Sequence, residues 1–122
     1  MSQAGWDLSK NVERLMKFRE ARDWKQFHRP KELAAAIAIE AGELQELFLW
    51  RDAETAEIVS ADPARMEKIT QEIADVASYL VMLTHDLGVD LSAAIEAKVA
   101  ANERRYPADQ HRGVARKAGH AS

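Results

Sequence analysis

The chain has 122 residues, no cysteine, and 47% apolar side chains; that suits one domain and excludes a disulfide framework or a thiolate zinc site. With 17 Lys and Arg against 20 Asp and Glu, its net charge of −3 argues against a general nucleic-acid binder, which is usually basic. No apolar run is long enough to span a membrane and Met1 leads into a polar segment, so neither a membrane partner nor a secretory leader is expected, and the cytoplasm is the expected compartment.

Alanine is abundant and no stretch alternates apolar and polar for long, so the composition favours helix throughout. The first helix is predicted from about Ser9 to Arg22, with Val12, Leu15, Met16 and Phe18 on its apolar stripe and Asp7 or Ser9 as its cap. The segment 23–29 breaks that pattern. Pro30 suits the first turn of a second helix, predicted to reach Trp50 and to bury Leu33, Ala36, Ile37, Ala41, Leu44, Leu47 and Phe48. A connector follows, with a short helical turn near 53–59. Asp62-Pro63 is a helix start, and the third long helix runs to Leu87 with Met66, Ile69, Ile73, Val76, Leu80, Leu83 and Leu87 inward; Gly88 suits its end. Asp90 caps a last helix from Leu91 to Arg105, which Tyr106-Pro107 ends. Beyond residue 107 the only large apolar residue is Val114, and 108–122 is expected to be a disordered, net-basic tail on a domain of residues 1–107. The expected fold is all-α, an antiparallel four-helix bundle with short connections.

Two helices carry acids where the apolar stripe would continue. Glu40 and Glu43 are neighbours at i, i+3 on the second helix, and Glu72 and Asp75 repeat the device on the third. One such pair is a common feature of a solvated helix edge. Two pairs on adjacent helices point to a shared cation, because four converging carboxylates stay ionised only with compensating charge. An oxygen-only donor set favours Mg²⁺, with Mn²⁺ as a substitute. Gly42 lowers helix propensity by about 1 kcal/mol relative to alanine, which suggests close approach of a ligand or another backbone. Glu13, Glu20, Glu54, Glu57 and Glu67 read as ordinary exposed charges, Trp6 as a core anchor or interface residue, and Phe27 as a packing residue.

Glu40-x-x-Glu43 followed by Glu72-x-x-Asp75 resembles the metal motif of the all-α nucleoside triphosphate pyrophosphatases, the MazG-like group. Arg22-Asp23-Trp24-x-x-Phe27-His28-x-Pro30, Leu44-x-x-Leu47-Phe48-x-Trp50 and Lys98-x-x-x-Asn102-x-x-Arg105-Tyr106-Pro107 are similar to the branch of that group that acts on dCTP. The resemblance covers roughly residues 8–107. It implies conversion of a nucleoside triphosphate, dCTP or a modified dCTP foremost, to the monophosphate and pyrophosphate, with Mg²⁺ and a homodimer or homotetramer. It also implies that Glu40, Glu43, Glu72 and Asp75 hold the metal, that Lys98 and Asn102 contact phosphates with Arg105 and Tyr106 nearby, and that Trp24, His28 and Trp50 surround the base.

Such a chemistry accommodates the composition. A triphosphate is repelled by bare carboxylates, and a bound cation inverts the local sign, so no glycine-rich phosphate cradle is required. Glu40 or Glu43 is the candidate to take a proton from the attacking water. Lys98, Asn102 and Arg105 share one stripe of the last helix, which suits a polyphosphate, although the residues taken without the resemblance favour a surface edge. Trp50 lies ten residues beyond Glu40, about 15 Å along a helix axis, so either Trp50 or the Trp24 loop is expected to serve a pocket from another direction, such as a second subunit. A non-catalytic helical oligomerisation module and a same-fold hydrolase for dUTP or another nucleotide are the competing readings.

Overall fold

The computed structural model describes residues 3–115. The described residues are helical with no β-strand: α1 (Ser9–Ala21), α2 (Pro30–Glu46), α3 (Ala56–Ser60), α4 (Pro63–Leu87), α5 (Leu91–Arg105) and α6 (Ala108–His111), with short 3₁₀ turns at Gln3–Trp6 and Lys25–Phe27. The all-α expectation is therefore met. The described residues fall into two compact units, one up to Leu87 and one from Gly88 onward.

Local chemistry sets most helix starts. The Asp7 carboxylate accepts the Ser9 backbone N–H and hydroxyl before α1. Pro30 occupies the first turn of α2, and its fixed φ suits that position. Thr55 accepts the Ile58 N–H at α3 and Asp62 the Arg65 N–H at α4. Asp90 accepts the Ala93 N–H at α5. After α1 the chain turns through Asp23, whose φ is 52°, a left-handed value that Asp tolerates better than most residues; its carboxylate and carbonyl oxygens both accept from the Gln26 side chain.

In the first unit α2 and α4 share the most extensive helix contact, and α1 and α3 also pack on α4. Leu33 on α2 is fully buried, with Ile69 and Met82 of α4. The expected inward stripes are only partly covered: Ile73 is 52% exposed, and Phe18, Phe48 and Leu87 also face solvent. The spacing identifies the apolar face of each helix, and among the described residues those faces stay partly exposed.

Three boundaries differ from the sequence expectation. α2 stops at Glu46, four residues early, and Leu47, Phe48 and Leu49 donate to Leu44, Gln45 and Glu46 in a tightened i to i−3 pattern. The helical turn of the connector lies at Ala56–Ser60, slightly later than placed. Part of the segment expected to be disordered is ordered: Ala108–His111 forms α6 after Pro107, and the Tyr106 and His111 rings meet edge-on at 5.2 Å. The rest of the basic tail, from residue 116, lies outside the described residues. Phe27, expected to pack, is exposed, and exposed Trp6 is no core anchor within this chain; a Cβ built on Gly42 meets no atom within 4 Å, so the chain itself makes no close approach there.

Candidate functional site

Three of the four acids that the stripe analysis singled out converge across the α2–α4 contact. One carboxylate oxygen each from Glu40, Glu43 and Glu72 lies within 4.8 Å of the others. Glu40 and Glu72 are part-buried, Glu43 is exposed, and Glu40 Oε2 and Glu72 Oε2 are buried with no hydrogen-bond partner. Buried acceptors without donors are costly, so these two oxygens need a ligand. Burial pushes the Glu40 carboxyl above the usual range, reinforced by Glu72 and Asp75. Glu43 is raised first by its hydrogen bond to Glu40, then by that neighbour's charge. A divalent cation answers both conditions, and an oxygen-only donor set fits a hard ion such as Mg²⁺. Asp75, one turn beyond Glu72 on α4, stands outside the three-residue group and acts on Glu40 through its charge.

The same unit holds a chain of rings. Phe18 meets Trp24 at 5.6 Å between centroids, Trp24 meets His28 at 6.3 Å, and His28 meets Tyr79 at 6.3 Å, all edge-on, within the range of favourable aromatic pairs. Two of these rings, Trp24 and His28, were expected at the site; Tyr79 was not. Its signal is in the spacing, because it lies seven residues after Glu72 and four after Asp75 on one face of α4. His28 Nδ1 is buried without a partner. Burial, aided by the Arg19 charge, lowers the pKa of His28 and keeps the ring neutral.

Arg19 anchors this loop. Its guanidinium makes a two-pronged ion pair with Asp86, at 2.8 and 2.7 Å, and its backbone carbonyl accepts the Trp24 N–H at 3.0 Å. The turn carrying Trp24 is therefore tied to α4 through one residue. An apolar groove of about 380 Å³ between α1 and α4, lined by residues including Leu15, Phe18, Ala77 and Val81, contains none of the three carboxylates.

Trp50 takes a different place. It is 98% exposed, with φ at 60°, a left-handed value rare for a bulky residue. The connector around it is fixed by Arg65 and Glu54, which form an ion pair at 2.9 Å. Glu54, expected to be an ordinary exposed charge, is instead part-buried, and Arg65 holds its carboxyl below the usual range.

The remaining candidates lie in the second unit. Lys98 and Asn102 are one turn apart on α5, Lys98 exposed and Asn102 part-buried. The Asn102 carbonyl accepts the Tyr106 N–H, and the Arg105 guanidinium lies 5.5 Å from the centre of the Tyr106 ring. His111, which carried no expected role, closes on the same ring.

The MazG-like family model matches residues 35–120. The chain is 40% identical over 98 residues to dCTP pyrophosphatase 1 of Bos taurus, covering 80% of this chain and 58% of that protein. It is 40% identical over 100 residues to dCTP pyrophosphatase 1 of Homo sapiens, covering 82% and 59%. It thus spans less than two thirds of the length of these curated relatives. A crystal structure of a pyrophosphatase from Archaeoglobus fulgidus superposes with a TM-score of 0.74 at 35% identity, over 82% of this chain and 92% of that one. With the acidic pairs, the helical order and these likenesses in agreement, the chain belongs to the MazG-like family.

Proposed function

We propose that the protein is a metal-dependent nucleoside triphosphate pyrophosphohydrolase that converts dCTP, or a modified dCTP, to the monophosphate and pyrophosphate. The observation that carries this reading is the convergence of Glu40, Glu43 and Glu72 with two buried oxygens that lack donors, in a chain similar to dCTP pyrophosphatases.

Glu40, Glu43 and Glu72 would hold Mg²⁺, with Asp75 reinforcing the negative field. When bound, the ion supplies charge compensation for the phosphates and eases ionisation of water. Glu43, the exposed member of the group, and Glu40 are the two candidates to take a proton at a carboxylate oxygen. Trp24 and Tyr79 offer ring faces or edges to a base, and neutral His28 can exchange a hydrogen bond with it without adding charge. Lys98, Asn102 and Arg105, with Tyr106 beside them, serve the phosphates.

The same reading includes a homodimer or homotetramer. Exposed Phe18, Ile39 and Ile73 on the first unit, and fully exposed Trp50, support assembly with a second copy, because such apolar surface in quantity marks an interaction site. Sedimentation at several concentrations tests it, and a monomer throughout would overturn it.

The activity is tested by incubating the protein with each deoxy- and ribonucleotide, and with 5-methyl-dCTP, in Mg²⁺. The expected products are the monophosphate and pyrophosphate, with the highest kcat/KM on a cytosine nucleotide. Orthophosphate as product, or no turnover of any nucleotide, would defeat the reading. A preference for dUTP would retain the reaction and change the substrate.

A further inference from the structure

One buried guanidinium controls both ends of the segment that carries Trp50. Arg65 sits in the first turn of α4 and is only 8% exposed. Its Nε and one terminal nitrogen donate to the Leu47 carbonyl at 3.2 and 2.9 Å, where α2 has ended. Its two terminal nitrogens donate to both oxygens of Glu54 at 2.9 Å. Its plane lies 5.0 Å from the centre of the Phe48 ring. The Asp62 carboxylate fixes the backbone of the same residue by accepting its N–H at 3.1 Å. The guanidinium thus makes four hydrogen bonds, two to residue 47 and two to residue 54, while the chain between them reaches out to solvent-exposed Trp50.

We propose that Arg65, with Glu54, is a positioning residue that holds Trp50 in its left-handed, outward conformation for nucleotide binding. The proposal rests on the nucleotide role of Trp50 given above. A bulky side chain keeps a sparsely populated φ only where the surroundings over-determine it, and the Arg65 clamp is the set of contacts that does so here. A lysine cannot replace it, because one ammonium cannot form the planar fork that serves a carboxylate and a carbonyl together. The clamp touches none of Glu40, Glu43 and Glu72, so its loss affects binding rather than the chemical step.

The test compares Arg65→Lys, Glu54→Gln, Trp50→Ala and the Arg65→Lys/Trp50→Ala double variant in the full chain. Glu54→Gln keeps the Leu47 contacts and serves if Arg65→Lys fails to fold. Arg65→Lys and Glu54→Gln are expected to raise KM for the preferred nucleotide about tenfold with kcat within twofold, and the double variant to match Trp50→Ala alone. Fluorescence anisotropy of Trp50, in a chain with Trp6 and Trp24 replaced by phenylalanine, is expected to fall when the clamp is cut. A lower Tm with unchanged KM and anisotropy, or KM losses that multiply in the double variant, would overturn the proposal. If Trp50→Ala leaves KM unchanged, the nucleotide role of Trp50 fails, while the anisotropy still decides whether Arg65 fixes that side chain.

Discussion

Arg19 and Asp86 pair through both prongs of the guanidinium, joining the last turn of α1 to the last turn of α4. Both side chains are buried or nearly so, and removal of one partner from such a pair typically costs about 3 kcal/mol. Asp86→Asn should lose about that much in urea unfolding and should loosen the Trp24 turn. A loss within experimental error would show that the pair contributes nothing net.

The same pair and its neighbour set the acid limb of stability. Hydrogen bonds from Arg19 hold the Asp86 carboxyl below its ordinary value. Its contribution is present above the unfolded pKa near 3.8 and is lost as pH falls through the lowered value. His28 is also lowered, chiefly by burial, so the unfolded chain gains a proton near pH 6.5 before the native chain does. Stability should therefore begin to decline as pH drops below about 6.5. Replacing His28 with glutamine should flatten the decline between that pH and the acid transition, as read from Tm against pH.

Metal should invert the effect of a site mutation. In chelator, Glu72→Gln removes one of three mutually repelling carboxylates and should raise Tm. In millimolar Mg²⁺, the wild-type protein should gain stability by ligand linkage and the variant should gain less, so that their order reverses. Parallel curves under both conditions would separate these acids from any cation. Turnover by Glu43→Gln should fall at least a hundredfold with the fold intact.

Gly42 gives a cleaner probe of what lies against α2. With no atom near its virtual Cβ, Gly42→Ala should stabilise the chain by about 1 kcal/mol through helix propensity. A decrease in Tm would instead place a second chain or a nucleotide against that turn.

Helix starts were legible because their chemistry is local. Asp62, Pro63 and Asp90 each cap or open a helix within a few residues of themselves. The acidic pairs were legible for a related reason: an i, i+3 spacing fixes each pair on one face, and α2 against α4 brings Glu40 and Glu43 to Glu72. The end of α2 was not legible, because the group that takes the Leu47 carbonyl is Arg65, eighteen residues away. Glu54 was misread for the same reason. Tyr79 was passed over because its spacing from Glu72 and Asp75 fits an ordinary helix residue as well, and its ring contact with His28 exists only in the fold. Burial was overestimated at Ile73 and Leu87, because periodicity names an apolar face without naming what covers it.

The three crowded carboxylates also matter to anyone who engineers this chain. Heat screens run in chelating buffer would reward every substitution that discharges Glu40, Glu43 or Glu72, since each relieves repulsion in the metal-free chain. If these acids hold the metal as proposed, the most thermostable clones from such a screen would lose turnover. Selecting in excess divalent cation reverses that bias and keeps the acids under purifying pressure.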